Sequence, residues 1–282
     1  MMSDPVGLIA GNGVFPRLFA DAAHKQGKRV VAVAMHGETD VSIADHVDAI
    51  TWVRVGQLGA MIKAFQQAGI HEAAMAGGVK KTRLFGRARP DWLGLKILAK
   101  SIVLKDDGLL RAVASAFEQA GIKIISSTAF MPDALAPSGI LTDRKPSDND
   151  WQDLRYGYFV AQEIGRLDIG QTVIVRAGAV VALEAIEGTD ACIKRAGVLT
   201  NKKGAVIVKV AKTVQDMRFD VPAIGPSTID SMHEANIQVL GIEAHKTLLL
   251  EPELLFNKIR SFNICMVGLT EADLQSAQEL QT

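Results

Sequence analysis

Val6-Gly7-Leu8-Ile9-Ala10-Gly11-Asn12-Gly13-Val14-Phe15-Pro16 joins an apolar run, a glycine turn and a proline within eleven residues. The apolar run reads as a strand, the Gly-Asn-Gly as the tight turn after it, and Pro16 as the first turn of a helix. That helix is expected over Pro16 to Lys25, with Leu18, Phe19 and Ala22 on one face. The alternation then repeats. Arg29 to Ala34 and Ala49 to Val53 are strand-like, Ala60 to Ala68 is helical, and Ala73 to Ala76 is a short strand. Helical patterns near Leu93 to Val103 and Gly108 to Ala120 precede a strand at Lys123 to Ile125. Strands alternating with helices predict a mostly parallel sheet covered by helices.

The N-terminal domain, residues 1–130, is therefore expected to be α/β and Rossmann-like. Residues 131–150 carry Pro132, Pro137, Pro146 and Gly139, and read as a crossover between domains or a lid. Trp151 to Leu167 is an amphipathic helix pattern placing Leu154, Tyr158, Ala161 and Ile164 near one face. Strand-like Thr172 to Arg176 and Ala179 to Leu183 flank the Ala177-Gly178 turn. A helix from Asp190 to Arg195, a strand at Ala205 to Lys209 and a helix over Thr228 to Ala235 follow. Gln238 to Gly241, Thr247 to Leu250, the helix Pro252 to Ser261 and Asn263 to Val267 complete a second α/β domain over 151–270. Residues 271–282 read as a flexible tail. The expected architecture is two α/β domains with a ligand cleft between them, and no solenoid repeat is present.

Composition narrows the function classes. The chain has 282 residues, 48% of them hydrophobic, enough for one or two cores, with two favoured. Its 31 basic and 31 acidic residues balance, which removes the broad electrostatic case for nucleic acid. Cys192 and Cys265 have no paired spacing, so neither a disulfide framework nor a cysteine zinc site is expected, as in a reducing compartment. The six histidines form no HExxH motif. There is no Gly-x-Ser-x-Gly elbow. No signal peptide and no apolar run of transmembrane length is legible, and a cytoplasmic protein is expected.

Four places have the residue types for chemistry. Gly11-Asn12-Gly13 lies between a strand and a helix start, where glycines admit close backbone approach and free N–H groups attract anions. It lacks the third glycine of the dinucleotide fingerprint and the Gly-Lys-Ser/Thr ending of a P-loop, so it is either a ligand contact or a plain turn. Gly77-Gly78 and Lys80 end another strand of the same sheet, and strand ends there can share a crevice; Lys80 is equally readable as a solvated lysine. Glu184-Ala185-Ile186-Glu187-Gly188-Thr189-Asp190 ends a strand with three acids, and Thr189 or Asp190 can cap the next helix. Ordinary capping and a surface ion pair are the competing reading. Lys209 to Asp220 gathers Lys209, Lys212, Asp216, Arg218 and Asp220. Such bases neutralise phosphate oxygens, and such acids hold Mg²⁺, which lowers the pKa of a bound water. A salt-bridged loop is the alternative. Asp106-Asp107 and the acids from Asp148 to Asp153 read chiefly as helix caps, and Cys192 as core.

Several of these segments, in order, carry a resemblance. Gly11-Asn12-Gly13 with Pro16, Phe130-Met131-Pro132-Asp133 with Leu135-Ala136-Pro137, and Leu141-Thr142 look like one family's N-terminal and middle signatures. Leu167-Asp168-Ile169-Gly170-Gln171, Glu184 to Asp190, and Gln215-Asp216-Met217-Arg218-Phe219-Asp220-Val221-Pro222 look like its C-terminal ones. The chain resembles, over all but its last dozen or so residues, the UDP-2,3-diacylglucosamine pyrophosphatases of LpxI type in Gram-negative lipid A synthesis. This form is unrelated to the calcineurin-like enzymes of the same step.

The resemblance implies a two-domain enzyme with substrate between its domains and Mg²⁺ preferred. It implies hydrolysis of UDP-2,3-diacylglucosamine to UMP and 2,3-diacylglucosamine 1-phosphate, with water attacking the phosphate on the sugar; the sequence itself does not distinguish the two phosphorus atoms. It places the essential acid at Asp220 first and Asp216 second, with Lys209, Lys212 and Arg218 stabilising charge on the phosphates. Asp220, Asp216 and Glu184 are the implied metal ligands. Gly11, Asn12, Gly13, Gly77, Gly78, Lys80, Glu187, Gly188, Thr189 and Asp190 are the implied substrate contacts. Phe130, Met131, Leu135, Ile140 and Leu141 either line an acyl groove or pack a domain junction. Thr213 departs from the proline expected there. Transient contact with the inner-membrane surface and a homodimer complete the expectations. A nucleotide-sugar transferase and a non-catalytic nucleotide- or lipid-binding module are the competing functions.

Overall fold

Val6–Ala10 (β1) is buried along its whole length, as is Val30–Met35 (β2), because both lie inside a sheet covered on two faces. A computed structural model describes residues 4–79, 89–101, 106–212, 216–218 and 220–275. With Ala49–Val53 (β3), Glu72–Ala76 (β4) and Lys123–Ile124 (β5), these strands form an all-parallel sheet in the order β3-β2-β1-β4-β5. Alternate residues serve opposite faces. Leu8, Ala10, Ala32, Ala34, Ala74 and Ala76 meet Phe19, Ala20 and Ala23 of helix α1 (Phe15–Lys25). Ile9, Val31, Val33 and Met75 meet Met61, Ile62 and Phe65 of α2 (Leu58–Gln67) and Phe117 of the helix Asp106–Gln119. The strand order reverses direction between β1 and β4, so the ends of those two strands form the switch point of the sheet.

The chain divides into two units, Met1–Pro132 with Asp216–Asp220, and Asp133–Gln215 with Val221–Thr282. Asp216–Asp220 thus departs from the continuous 151–270 domain expected from sequence. The Ser127 N–H donates to the Arg218 carbonyl at 2.7 Å, and the Arg218 guanidinium reaches Glu118 at 2.8 Å, which holds the segment in the first unit. The proline-rich stretch also has regular partners. Gly139–Ile140 (β6) pairs antiparallel with Cys265–Leu269 (β13), and the Ala136 N–H donates to the Thr247 carbonyl.

The second unit holds a short parallel pair, Ala223–Ile224 (β10) and Leu248–Leu249 (β12), and a six-stranded mixed sheet built with Thr172–Arg176 (β7), Ala179–Leu183 (β8), Val206–Lys209 (β9) and Val239–Glu243 (β11) in the order β6-β13-β11-β9-β7-β8. β9, β11 and β13 run parallel, whereas the β7–β8 hairpin joins antiparallel. The helix Asp148–Arg166 lays Leu154, Tyr158, Ala161 and Ile164 on one face of this sheet. Thr189–Leu199, Pro226–Glu234 and Pro252–Ser261 cover the other face with Ile193, Ala196, Ile229 and Ile259. The first of these helices starts three residues before the expected Trp151. Ser147 and Asp150 form a capping box there, so acids of that run serve as capping groups. No helix among the described residues is long and apolar enough to cross a membrane.

Candidate functional site

In the first unit the two glycine pairs meet at the switch point. The Gly11 N–H donates to the Ala76 carbonyl and the Asn12 N–H to the Gly78 carbonyl, both at 2.8 Å. A Cβ on Gly11 would lie 2.5 Å from the Gly78 oxygen, so glycine there is required by contact of the two turns themselves. Gly13 differs: its φ is +82°, and a Cβ would face open space. The Asn12 side-chain amide donates to Glu38 Oε2 at 3.1 Å. Glu38 is buried just past β2, and beside it the Thr39 hydroxyl donates to the Ala10 carbonyl at 2.6 Å. Glu38 and Thr39 escaped the sequence reading; an acid directly after the second strand was the signal. Lys80 lies outside the described residues, as do the side chains of Asp106 and Asp107.

The same unit holds Asp216, Arg218 and Asp220. Arg218 forks onto Asp216, Nε to Oδ1 at 3.0 Å and Nη2 to Oδ2 at 2.8 Å, and sends Nη1 to Glu118. The guanidinium holds the Asp216 carboxyl below the usual carboxylate range, and Arg218 is itself stabilised as a cation by Asp216 and Glu118. The Asp220 N–H donates to the Asp216 carbonyl at 3.0 Å, closing the turn that presents Asp220. Glu118, a hundred residues away in sequence, gave no motif by which to find it.

The second unit holds Lys209, Lys212 and the acids of the 184–190 segment. Lys209, 5% exposed at the end of β9, donates to the Thr189 hydroxyl at 3.1 Å and the Ala223 carbonyl at 3.0 Å. The Thr189 hydroxyl donates onward to Glu184 Oε1 at 2.9 Å. Glu184 is 7% exposed, and its Oε2 is buried without a hydrogen-bond partner. Thr189 therefore links a buried base to a buried acid. It does not cap its own helix: the N-cap is Gly188, at φ +83° and without a side-chain cap bond. Asp190 Oδ1 accepts from the Thr228 hydroxyl at 3.2 Å.

Glu187 takes the ion-pair alternative. It meets Arg195 at 2.6 Å and accepts from the Ala185 N–H at 3.1 Å, and Arg195 holds its carboxyl below the usual range. Lys212 reaches Asp168 Oδ1 at 2.8 Å, a carboxylate on a left-handed residue with φ 59°. Glu243, buried at the end of β11, accepts from the Ala211 N–H at 2.8 Å and from Lys246 at 2.6 Å, which fixes the backbone beside Lys212. Cys192 is core, and burial pushes its thiol up to about 12.

Among the described residues no three His, Cys, Asp or Glu side chains gather as a metal centre. The proposed three-carboxylate set of Asp216, Asp220 and Glu184 is divided, the first two falling in one unit and the third in the other. The expected acyl-groove residues divide too. Phe130 and Met131 pack on the core beside β1, with Phe130 edge-on to Phe19 at 5.4 Å, whereas Leu141 packs on the core of the second unit.

Comparison with known proteins covers both units. The model of the LpxI N-terminal domain matches residues 5–134 and that of the LpxI C-terminal domain residues 137–267. A Caulobacter vibrioides protein named UDP-2,3-diacylglucosamine pyrophosphatase LpxI is 32% identical over 274 residues, covering 94% of this chain and 97% of that protein. Likenesses to solved structures are weak. The biotin carboxylase subunit of pyruvate carboxylase aligns at 13% identity with TM-score 0.27, over 65% of this chain and 38% of its own. The crystal structure of gox2253 aligns at 11% identity with TM-score 0.31, over 98% and 88%. Neither structural likeness carries an argument. The two domain models follow one another along the sequence and the relative matches nearly end to end, and on that ground the chain belongs to the LpxI family.

Proposed function

We propose that the chain hydrolyses the pyrophosphate bond of UDP-2,3-diacylglucosamine, giving UMP and 2,3-diacylglucosamine 1-phosphate in lipid A biosynthesis. The carrying observation is the match to both family domains together with a relative bearing that activity in its name. Water adds to the phosphorus on the sugar, the bond from that phosphorus to the bridging oxygen breaks, and UMP leaves with the bridging oxygen. One water proton is lost to the acid of the 216–220 turn.

Asp220 is assigned that acid, and Asp216, forked onto Arg218, its support. Mg²⁺ suits this reading because it is commonly held by one or two carboxylates together with substrate phosphates rather than by a full protein cage. Asp220 and Asp216, both in the first unit, are the residues assigned to it. When bound, Mg²⁺ would draw charge from the phosphate oxygens and lower the pKa of water. Lys212 and Arg218 offset phosphate charge, while Lys209 holds the Thr189 end of its helix. Gly11, Asn12, Gly13, Gly77 and Gly78 supply backbone against the nucleotide, and Gly188, Thr189 and Asp190 against the sugar. Substrate and product are two-chain lipids, met at the cytoplasmic face of the inner membrane.

Incubation with the lipid nucleotide in ¹⁸O water, with no acceptor added, tests this reading. It predicts UMP release with the label in the sugar phosphate. Label in UMP would move the attack to the other phosphorus, and tight binding without release would leave only a binding module.

A further inference from the structure

The helix Trp92–Ser101, α3, turns two large apolar side chains outward. Trp92 is 81% exposed and Leu95 52%, with Lys96 exposed beside them. Positions three and four apart share one helix face. Leu93 and Ile97, on the opposite side, pack into the core with Phe65 and Phe117. The helix is also fixed at its start. Asp91 accepts from the Gly94 N–H at 2.9 Å and, through its other oxygen, from the Gly59 N–H at 2.7 Å. A Cβ at Gly94 would collide with the Gly56 carbonyl, so this turn lies directly on the backbone below it. The outward face is set by packing from beneath.

Basic residues flank that face in sequence. Residues 80–105 contain eight Lys or Arg against Asp91 alone, in a chain whose basic and acidic residues total 31 each. Asp91 is already committed to backbone N–H groups, and Arg89 and Lys96 are exposed. A second exposed apolar pair, Val198 (76%) and Leu199 (58%), also has exposed lysines after it, Lys202 and Lys203, but carries no indole, and Lys194 and Arg195 beside it pair with Glu234 and Glu187.

We infer that Trp92 and Leu95, flanked by Arg89 and Lys96, form the surface by which the protein docks on an anionic lipid bilayer. An indole suits the headgroup boundary, a leucine the acyl region just below, and basic residues the negative surface potential. The inference deepens the proposed membrane encounter by naming its face. Its test needs no substrate, so its failure and that of the proposed reaction are read separately.

The measurement is sedimentation of the full chain with phosphatidylglycerol-rich vesicles and with pure phosphatidylcholine vesicles. Binding is expected to the anionic vesicles only, to fall with added salt, and to weaken by about tenfold in the double variant Trp92→Ser/Leu95→Ser. Arg89→Glu/Lys96→Glu should weaken it as well, while Val198→Ser/Leu199→Ser should bind like the native chain, all three with native circular dichroism. Native-level binding by the Trp92/Leu95 variant would overturn the inference. So would loss of binding only in the Val198/Leu199 variant. Loss of self-association in the Trp92/Leu95 variant with vesicle binding intact would also overturn it, assigning the face to a second copy.

Discussion

Lys209, Thr189 and Glu184 are connected by two hydrogen bonds inside the second unit, with both charged ends nearly excluded from water. A buried charge that loses its counterpart is costly, whereas removing both ends together is cheaper. Lys209→Met is therefore expected to destabilise by about 2–3 kcal/mol, and Lys209→Met/Glu184→Gln to recover part of that loss, read from denaturant midpoints. Equal loss in the single and double variants would remove the coupling. Asp216 makes a prediction in pH. Arg218 depresses its carboxyl in the folded chain, so its contribution to stability is complete above the unfolded carboxylate value of about 4 and is lost as pH falls through the lower folded value. The melting temperatures of native and Asp216→Asn chains should differ at pH 6 and converge as pH is lowered well below the unfolded carboxylate value. A gap unchanged across that window would mean that the fork onto Arg218 contributes through packing alone.

At the scale of elements, acids fix turns that carry no motif. Asp153, buried in the helix Asp148–Arg166, accepts from the Ala177 and Gly178 N–H groups at 2.9 and 2.7 Å and so holds the β7–β8 turn. Asp153→Ala should cost about 2 kcal/mol and raise amide exchange first at that turn; uniform exchange across the unit would place its role elsewhere.

The elements themselves were largely legible, because alternating apolar residues in the strands and i, i+3, i+4 faces in the helices answer to local periodicity. Leu154, Tyr158, Ala161 and Ile164 occupy the face their spacing predicts. Local pattern did not reveal Gly139–Ile140 or Ala223–Ile224, two-residue strands too short to show alternation. It extended the 190–195 helix too little: the helix runs Thr189–Leu199 through Gly197, where a Cβ would come within 2.8 Å of Ala235. The partners of the charged residues were the least legible part. Glu118 for Arg218, Asp168 for Lys212 and Glu38 for Asn12 lie 26 to 100 positions away, and tertiary placement alone brings each to its partner.

For the whole molecule, the parallel sheet of the first unit brings the glycine turns to its switch point and the mixed sheet of the second carries the buried base and acid. Family membership spans both. The proposed pyrophosphatase reaction assigns its working acid to the 216–220 turn. The most direct measurement is UMP release from UDP-2,3-diacylglucosamine with Mg²⁺ or with EDTA, for the native chain and for Asp220→Ala. Release should need the metal and fall by about a thousandfold or more in the variant, with folding unchanged. Release at the native rate by Asp220→Ala, or release indifferent to EDTA, would contradict the proposal.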